Sequence, residues 1–382
     1  MRSRDVYLML LIGLFFRVCV SIWNAFWGPS IGADADATSF HQAALHLYSY
    51  PGPMDELVYI ALKSGNALMT HPDFRHGMHL LHHFYGQLLA RVYFISTDSL
   101  FIGSLFSVFA WTISAVVLIQ IMQLLQVKNS DQFKAMAIYS LLPSSILLTG
   151  VTLREPFQLL LVNLAMFSAL KVYLNKSIKF GIFLVPLIFL MKKFHLALYI
   201  LGLSIVFLLI IFLILGKRGD CFFRKILFSI FFILIIFFAI DWYGLSNLIP
   251  YSYNFNKKEL AAVASKYISV LIGFETRTQF IHNIDINDTF DFFLFMPKHL
   301  LQYLFEPMPW RVKTTLDFIV LMENLLRAVL IFKILAGLFC NSLENRKNLV
   351  FIFFSYLTIE AIFSSGTVTW GTSIRHHIPG MG

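Results

Sequence analysis

Helix-length apolar runs separated by short basic breaks constrain this chain more than any other feature. "VYLMLLIGLFFRVCVSIW" (6–23) and "LALYILGLSIVFLLIIFLIL" (196–215) are two of them. About 20 such residues cross a ~30 Å hydrocarbon core as a helix. Lipid offers no partner to backbone N–H and C=O groups, so these runs must be helical. Ten-residue segments of alternating polarity are lacking, which argues against an outer-membrane barrel. Only 13% of the residues are charged and 58% are hydrophobic, whereas a soluble domain is about a quarter charged. The expected fold is an all-α polytopic transmembrane bundle.

The runs give about nine spans, near 6–24, 100–126, 134–150, 156–174, 179–191, 194–216, 224–244, 315–338 and 348–365. The first run has no A-x-A cleavage signal and reads as a retained span. Arg2 and Arg4 hold the N-terminus in the cytoplasm. The breaks "VKNSDQFK" (127–134), "KVYLNKSIK" (171–179), "GKRGDCFFRK" (216–225) and "NSLENRKN" (341–348) then fall inside, as short basic loops do. The net charge of +9 is accounted for by those loops, so nucleic acid is not expected as a partner. Cys19, Cys221 and Cys340 have no paired spacing, so neither a disulfide framework nor a zinc site is implied.

This topology makes residues 1–382 one membrane domain with two long periplasmic loops, 25–98 and 245–313. The second contains "KKELAAVASKYISVLIGF", whose apolar positions recur at helical spacing, as in an amphipathic interfacial helix. "FEPMPWRVK" (305–313) ends that loop with Trp310 and basic residues suited to the headgroup level.

Several outward-facing residues are hard to explain by folding alone. Asp34 and Asp36, in "GADADATSFHQAAL" (32–45), follow the first span directly. As a pair they suit a general base, or ligands for a divalent metal such as Mg or Mn. A solvated loop or a helix start is the plainer reading. In "TGVTLREPFQ" (149–158), Glu155 and Pro156 can start a helix, with the acid at its positive end. Arg154 has no such role and can grip a phosphate bidentately. Lys192 and Lys193 in "LMKKFHL" (190–196) fall on the outer end of a helical hairpin, against the positive-inside trend. They suit an anionic headgroup or pyrophosphate, or else simply snorkel. "SSGTVTWGTSIRHHIPG" (364–380) brings Arg375, His376 and His377 among glycines that allow close backbone approach; a frayed tail is the alternative.

His76, His79, His82 and His83 share a helix face at metal-ligand spacing. No acid follows at a zinc-motif spacing, and an interfacial amphipathic helix is favoured. Arg17 lies inside a span, where charge is costly. Glu323 and Arg327, four apart, are expected to form a structural ion pair.

With these residues placed, the chain resembles the GT-C superfamily of membrane glycosyltransferases, which includes protein O-mannosyltransferases, aminoarabinose transferases and bacterial exopolysaccharide enzymes. "DADATSFHQAAL" looks like the family's first outer loop. "YSLLPSSILLTGVTLREPFQLLLVNLAMFSAL" (139–170) looks like its paired spans, and "FEPMPW" and "WGTSIRHHIP" resemble stretches of polysaccharide-cluster membrane proteins. The resemblance implies a polyprenyl-phosphate-linked sugar donor and an acceptor that is a glycan, lipid or protein. It implies Asp36 as the catalytic acid residue, with Asp34 assisting or binding metal. Arg154, Lys192, Lys193, Arg375 and His376 become phosphate-binding candidates, supported by Glu155 and His377. The expected setting is a bacterial inner membrane with the site on its periplasmic face. Two other activities stay open: a polymerase of O-antigen or exopolysaccharide, and a non-catalytic transporter of lipid-linked glycans.

Overall fold

Proline 143 divides what hydropathy joins. Residues 134–150 read as one apolar span, but in the computed structural model they form two helices that meet at Leu142–Pro143. Proline has no N–H to donate and disfavours helical geometry in the residue before it. Leu142 accordingly takes φ −61° and ψ 121°.

The structure describes residues 3–28, 34–49, 84–215, 278–280, 289–340, 343–365, 367 and 369–381. Helix accounts for 87%, with no strand among the described residues. In chain order the helices are α1 Ser3–Phe26, α2 Asp34–Ser49, α3 Phe84–Ile95, α4 Leu100–Leu124, α5 Asn129–Leu141, α6 Pro143–Thr149, α7 Glu155–Asn175, α8 Ile178–Phe194, α9 Leu196–Leu215, α10 Thr289–Phe305, α11 Thr315–Cys340, α12 Leu343–Ser364 and α13 Trp370–His376.

Among the described residues five stretches are long and apolar enough to cross a membrane: Arg4–Phe26, Leu100–Leu124, Glu155–Asn175, Leu196–Leu213 and Arg346–Ser364. The remaining expected spans depart for separate reasons. α5 and α6 have 13 and 7 residues, and α8 has 17 with Pro186 inside it. α11 is long, at 26 residues, but carries Asp317, Glu323, Arg327 and Lys333. The run at 224–244, the histidines 76, 79, 82 and 83, and most of both expected periplasmic loops lie outside the described residues.

The chain forms two compact units. The first comprises Met1–Phe167, Phe189–Leu198 and Met381–Gly382; the second comprises Ser168–Ile188 and Tyr199–Gly380.

In the first unit, α1 packs on α4, α5 and α6, and α2 packs on α3. The polarity of α1 is the reverse of a soluble helix. Leu8, Leu11, Phe15 and Phe16 are exposed, while Arg17, Ser21 and Asn24 are buried. Gly13, Arg17, Ser21 and Asn24 make one stripe at helical spacing. At Gly13 an added Cβ would lie 2.7 Å from Ser140 Cβ, so glycine lets α1 approach α5. The Arg17 guanidinium fills the seam. Nε donates to Thr149 Oγ1 at 2.6 Å, Nη1 to the Gly13 and Ser140 carbonyls at 3.0 and 2.8 Å, and Nη2 to Ser145 Oγ at 2.9 Å. Its face stacks 3.5 Å from the Trp111 ring centroid. Ser21 Oγ donates to the Gly150 carbonyl at 2.8 Å and ties the same helix to the turn after α6.

In the second unit, α10, α11, α12 and α13 pack on one another. Asp317 Oδ2 accepts from the N–H groups of Lys313 and Thr314 at 3.1 and 3.0 Å, and Asp317 N–H donates to Thr314 Oγ1 at 3.2 Å, a reciprocal cap on α11. Trp370 Nε1 donates to Asp317 Oδ1 at 3.3 Å, and the Arg311 guanidinium lies 4.4 Å over the Trp370 ring. Arg311 also pairs with Glu306 at 3.1 Å. The stretches "FEPMPWR" and "WGTSIR" are therefore joined by a bridge of charge and ring. Arg327 departs from the expected pairing with Glu323. Its Nη1 donates to the Leu304 carbonyl at 3.0 Å and to Asn324 Oδ1 at 2.6 Å, so Asn324, three residues back, is its partner on the same helix.

Candidate functional site

The candidate residues of the first unit gather around one aromatic cluster. Ala37, Phe40, Ala43, Ala44 and Leu47 form the buried stripe of α2, spaced as one helical face. Asp34 is the first residue of this helix and Asp36 lies in its first turn. Helix α2 thus begins where the sequence offers either a solvated loop or a helix start. Positions two apart on a helix do not share a face. Asp36 instead shares a face with Phe40, one turn on, and is partly buried.

Phe40 meets Tyr85 edge-to-face at 5.0 Å, and the Arg154 guanidinium carbon lies 5.9 Å from the Phe40 ring centroid. Tyr85 also packs on Phe157 at 5.6 Å, and Phe157 stacks on Phe194 at 5.7 Å. Phe194 ends α8, one residue past Lys193. The acid-bearing helix and the arginine thus belong to one connected patch, which meets the end of the helix that carries Lys192 and Lys193. Lys193 is exposed and Lys192 half-buried. Partial burial and the neighbouring Lys193 charge lower the Lys192 ammonium.

Hydroxyl groups hold the segment that presents Arg154. Ser107 Oγ donates to the Leu153 carbonyl at 2.9 Å and accepts from Leu153 N–H at 3.2 Å. Its one proton is used there, so the Tyr85 hydroxyl, 3.1 Å away, donates to Ser107. Thr152 Oγ1 donates to the Leu100 carbonyl at 3.3 Å and lies 3.2 Å from Ser104 Oγ. An added Cβ at Gly103 would meet Thr152 Oγ1 and Tyr93 Oη, each at 2.8 Å. Tyr93 Oη in turn bonds His41 Nδ1 at 2.7 Å. Burial lowers the His41 imidazole, against the opposing pull of Asp98. The Arg154 carbonyl accepts from Phe157 and Gln158 N–H at 3.0 and 3.1 Å, so Arg154 caps α7. Glu155, buried, begins the helix.

His195, a residue that the sequence reading did not weigh, completes the patch. Ala197 N–H donates to its Nδ1 at 3.1 Å, capping α9. Nδ1 is therefore an acceptor, and the ring proton of the neutral form sits on Nε2. Burial and the Arg154 cation lower this imidazole to about 4. The turn "KKFHL" hinted at such a cap only through a histidine placed before an apolar helix. Arg154 and His195 sit at the caps of α7 and α9, and helix N-termini favour anions.

Arg375, His376 and His377 belong to the second unit. Burial lowers the Arg375 guanidinium to about 10. His376 Nδ1 bonds Thr367 Oγ1 at 2.5 Å. His377 is enclosed: its Nδ1 lies 2.6 Å from Glu360 Oε2 and its Nε2 3.1 Å from the Tyr303 carbonyl. Among the described residues no group of three or more His, Cys, Asp or Glu side chains could hold a metal ion.

No protein-family model, curated protein or solved structure matches the chain.

Proposed function

We propose that this membrane protein is a GT-C-type glycosyltransferase. It moves a sugar from a polyprenyl-phosphate donor to a glycan, lipid or protein acceptor at the periplasmic face of a bacterial inner membrane, in cell-surface polysaccharide or glycoconjugate synthesis. One observation carries the reading. The helix bearing Asp36 packs through Phe40 against the Arg154 guanidinium, whose charge also reaches His195.

Each part has a chemical task. The acceptor hydroxyl oxygen attacks the anomeric carbon, and the carbon–oxygen bond to phosphate breaks. The hydroxyl proton passes to the Asp36 carboxylate as general base. The bonding electrons leave with the polyprenyl phosphate, whose growing negative charge faces Arg154 and Lys192. His195, neutral at pH 7, can offer Nε2–H to a phosphate oxygen without adding repulsion to Arg154. The apolar helices beside the patch suit the polyprenyl tail.

The test uses membranes containing wild type, Asp36→Asn or Arg154→Ala, given a mixed pool of polyprenyl-phosphate sugars. Release of free polyprenyl phosphate is followed. Asn keeps the size of Asp36 and removes the base, so release should fall by about 10²–10⁴-fold. Arg154→Ala should fall at least about 10²-fold. Equal release by wild type and Asp36→Asn would remove Asp36 from the reaction. Wild-type membranes that release nothing from any donor would overturn the transferase reading.

A further inference from the structure

The second unit buries an acid and a histidine whose hydrogen bonds cannot both form without an additional proton. Glu360 lies one turn before the end of α12 and His377 just beyond α13; both are almost fully enclosed, at 1% and 3% exposure. Both ring nitrogens of His377 face acceptors: Nδ1 faces Glu360 Oε2 at 2.6 Å, and Nε2 the Tyr303 carbonyl at 3.1 Å. A carbonyl oxygen can only accept, so Nε2 carries a proton. A neutral ring then has a bare lone pair at Nδ1, and that atom bonds Glu360 only if the carboxyl is protonated. The other solution is an imidazolium donating to a carboxylate. Either way the pair holds one proton more than ionised Glu plus neutral His.

We infer that Glu360 and His377 form a proton-binding site, and that the shared proton latches the segment 370–380 onto α10 and α12. Gly380 closes over the pair, and a Cβ there would collide with Glu360 Oε1. Tyr303 supplies its carbonyl from α10 and sets its ring 4.3 Å from that of His377, tilted by 51°. Among the described residues the titratable and charged groups facing the pair are Tyr303 from α10, Arg327 from α11 and Tyr356 from α12. Arg327 and burial both oppose a cation on His377. Released from the pair, Glu and His have pKa values near 4.3 and about 6.5. Above about pH 6.5 the open segment therefore binds no proton and the docked one binds one. Opening then releases one proton, and its equilibrium constant rises about tenfold per pH unit. Between about pH 4.3 and 6.5 both forms hold one proton and the constant is flat.

Thiol labelling reads this directly. In the full-length protein with its three native cysteines replaced by serine, Ser373→Cys places a thiol at a site 1% exposed in the docked segment. Gly371→Cys places one at an exposed position whose nearest neighbour is 3.7 Å from the added Cβ. The ratio of their maleimide labelling rates cancels the pH dependence of the thiol itself. The ratio should be level from pH 5 to 6.5, then rise about tenfold per unit from pH 7 to 8. Glu360→Gln keeps the latch, because its amide can donate to Nδ1, but removes the shared proton. In that background the ratio should stay low and flat. A flat ratio in the Glu360 background from pH 6.5 to 9 overturns the inference, whether or not the Gln variant assembles. So does an unchanged slope in Glu360→Gln.

Discussion

Both units bury an arginine among helices, and they settle its charge in opposite ways. Arg17 in the first unit has no carboxylate beside it among the described residues. Its donors meet two hydroxyls and two carbonyls, and its face meets an indole ring. Arg327 in the second unit sits near Tyr303, Tyr356 and His377, the group that also holds Glu360. The neutral dipoles around Arg17 carry no proton that could be lost near neutral pH. A set containing a carboxyl and an imidazole holds charge only while its protons stay in place. The two buried arginines thus differ in whether the groups around them titrate.

The largest test of that contrast removes the cation. Arg17→Ala should destabilise the first unit by about 4 kcal/mol, from lost charged hydrogen bonds and the cavity beside Trp111. Denaturant titration in detergent measures it, and a loss below about 1 kcal/mol would mean that Arg17 is not a structural pin. Next in size is acid sensitivity in the first unit. The folded value of about 4 for His195 lies below the ordinary ~6.5, so the folded state takes up the proton less readily than the unfolded chain. Its stabilising contribution is full above pH 6.5 and is lost as pH falls toward 4, up to about 3 kcal/mol. His195→Asn should flatten that acid limb in a melting series. The second unit should respond instead on the alkaline side, through the Glu360 and His377 proton. Gly13→Ala should cost about 2 kcal/mol by forcing α1 from Ser140, with no new pH dependence. The smallest effect belongs to the exposed Asp131–Lys134 pair, 3.0 Å apart. Lys134→Met should change stability by less than about 0.5 kcal/mol.

Much of the architecture is legible in the sequence because lipid leaves a helix as the one way to satisfy the backbone. The runs at 6–24, 100–126, 156–174, 194–216 and 348–365 each contain a helix that can cross a membrane. Hydropathy misses the break at Pro143 because it averages over a single residue. It also reads α11 as a plain span, although four charged side chains lie along it. The site divides in the same manner. Arg154 and the lysines announce themselves by being charged where charge is unwelcome. Glu360 gives no such signal: one acid in "YLTIEAIF" has no spacing to mark it, and His377 lies 17 positions away. His195 acquires its role from the cap it makes and the cation beside it, which are facts of packing. Ser107, Thr152 and Tyr85 look like ordinary residues of an apolar chain until their hydroxyls meet the Leu153 backbone and its neighbours.

That grip on Leu153 has a consequence for binding. Both backbone groups of the residue before Arg154 are fastened to α4, so the loop carrying the arginine behaves as part of the bundle. Ordering a free loop costs about 1–2 kcal/mol per residue, and a ligand that must do so forfeits that much affinity. Here folding has already ordered residues 151–154. An anion that bound Arg154 would meet an arginine whose backbone is fixed in place, so its binding energy would go into contacts and none of it into arranging the loop.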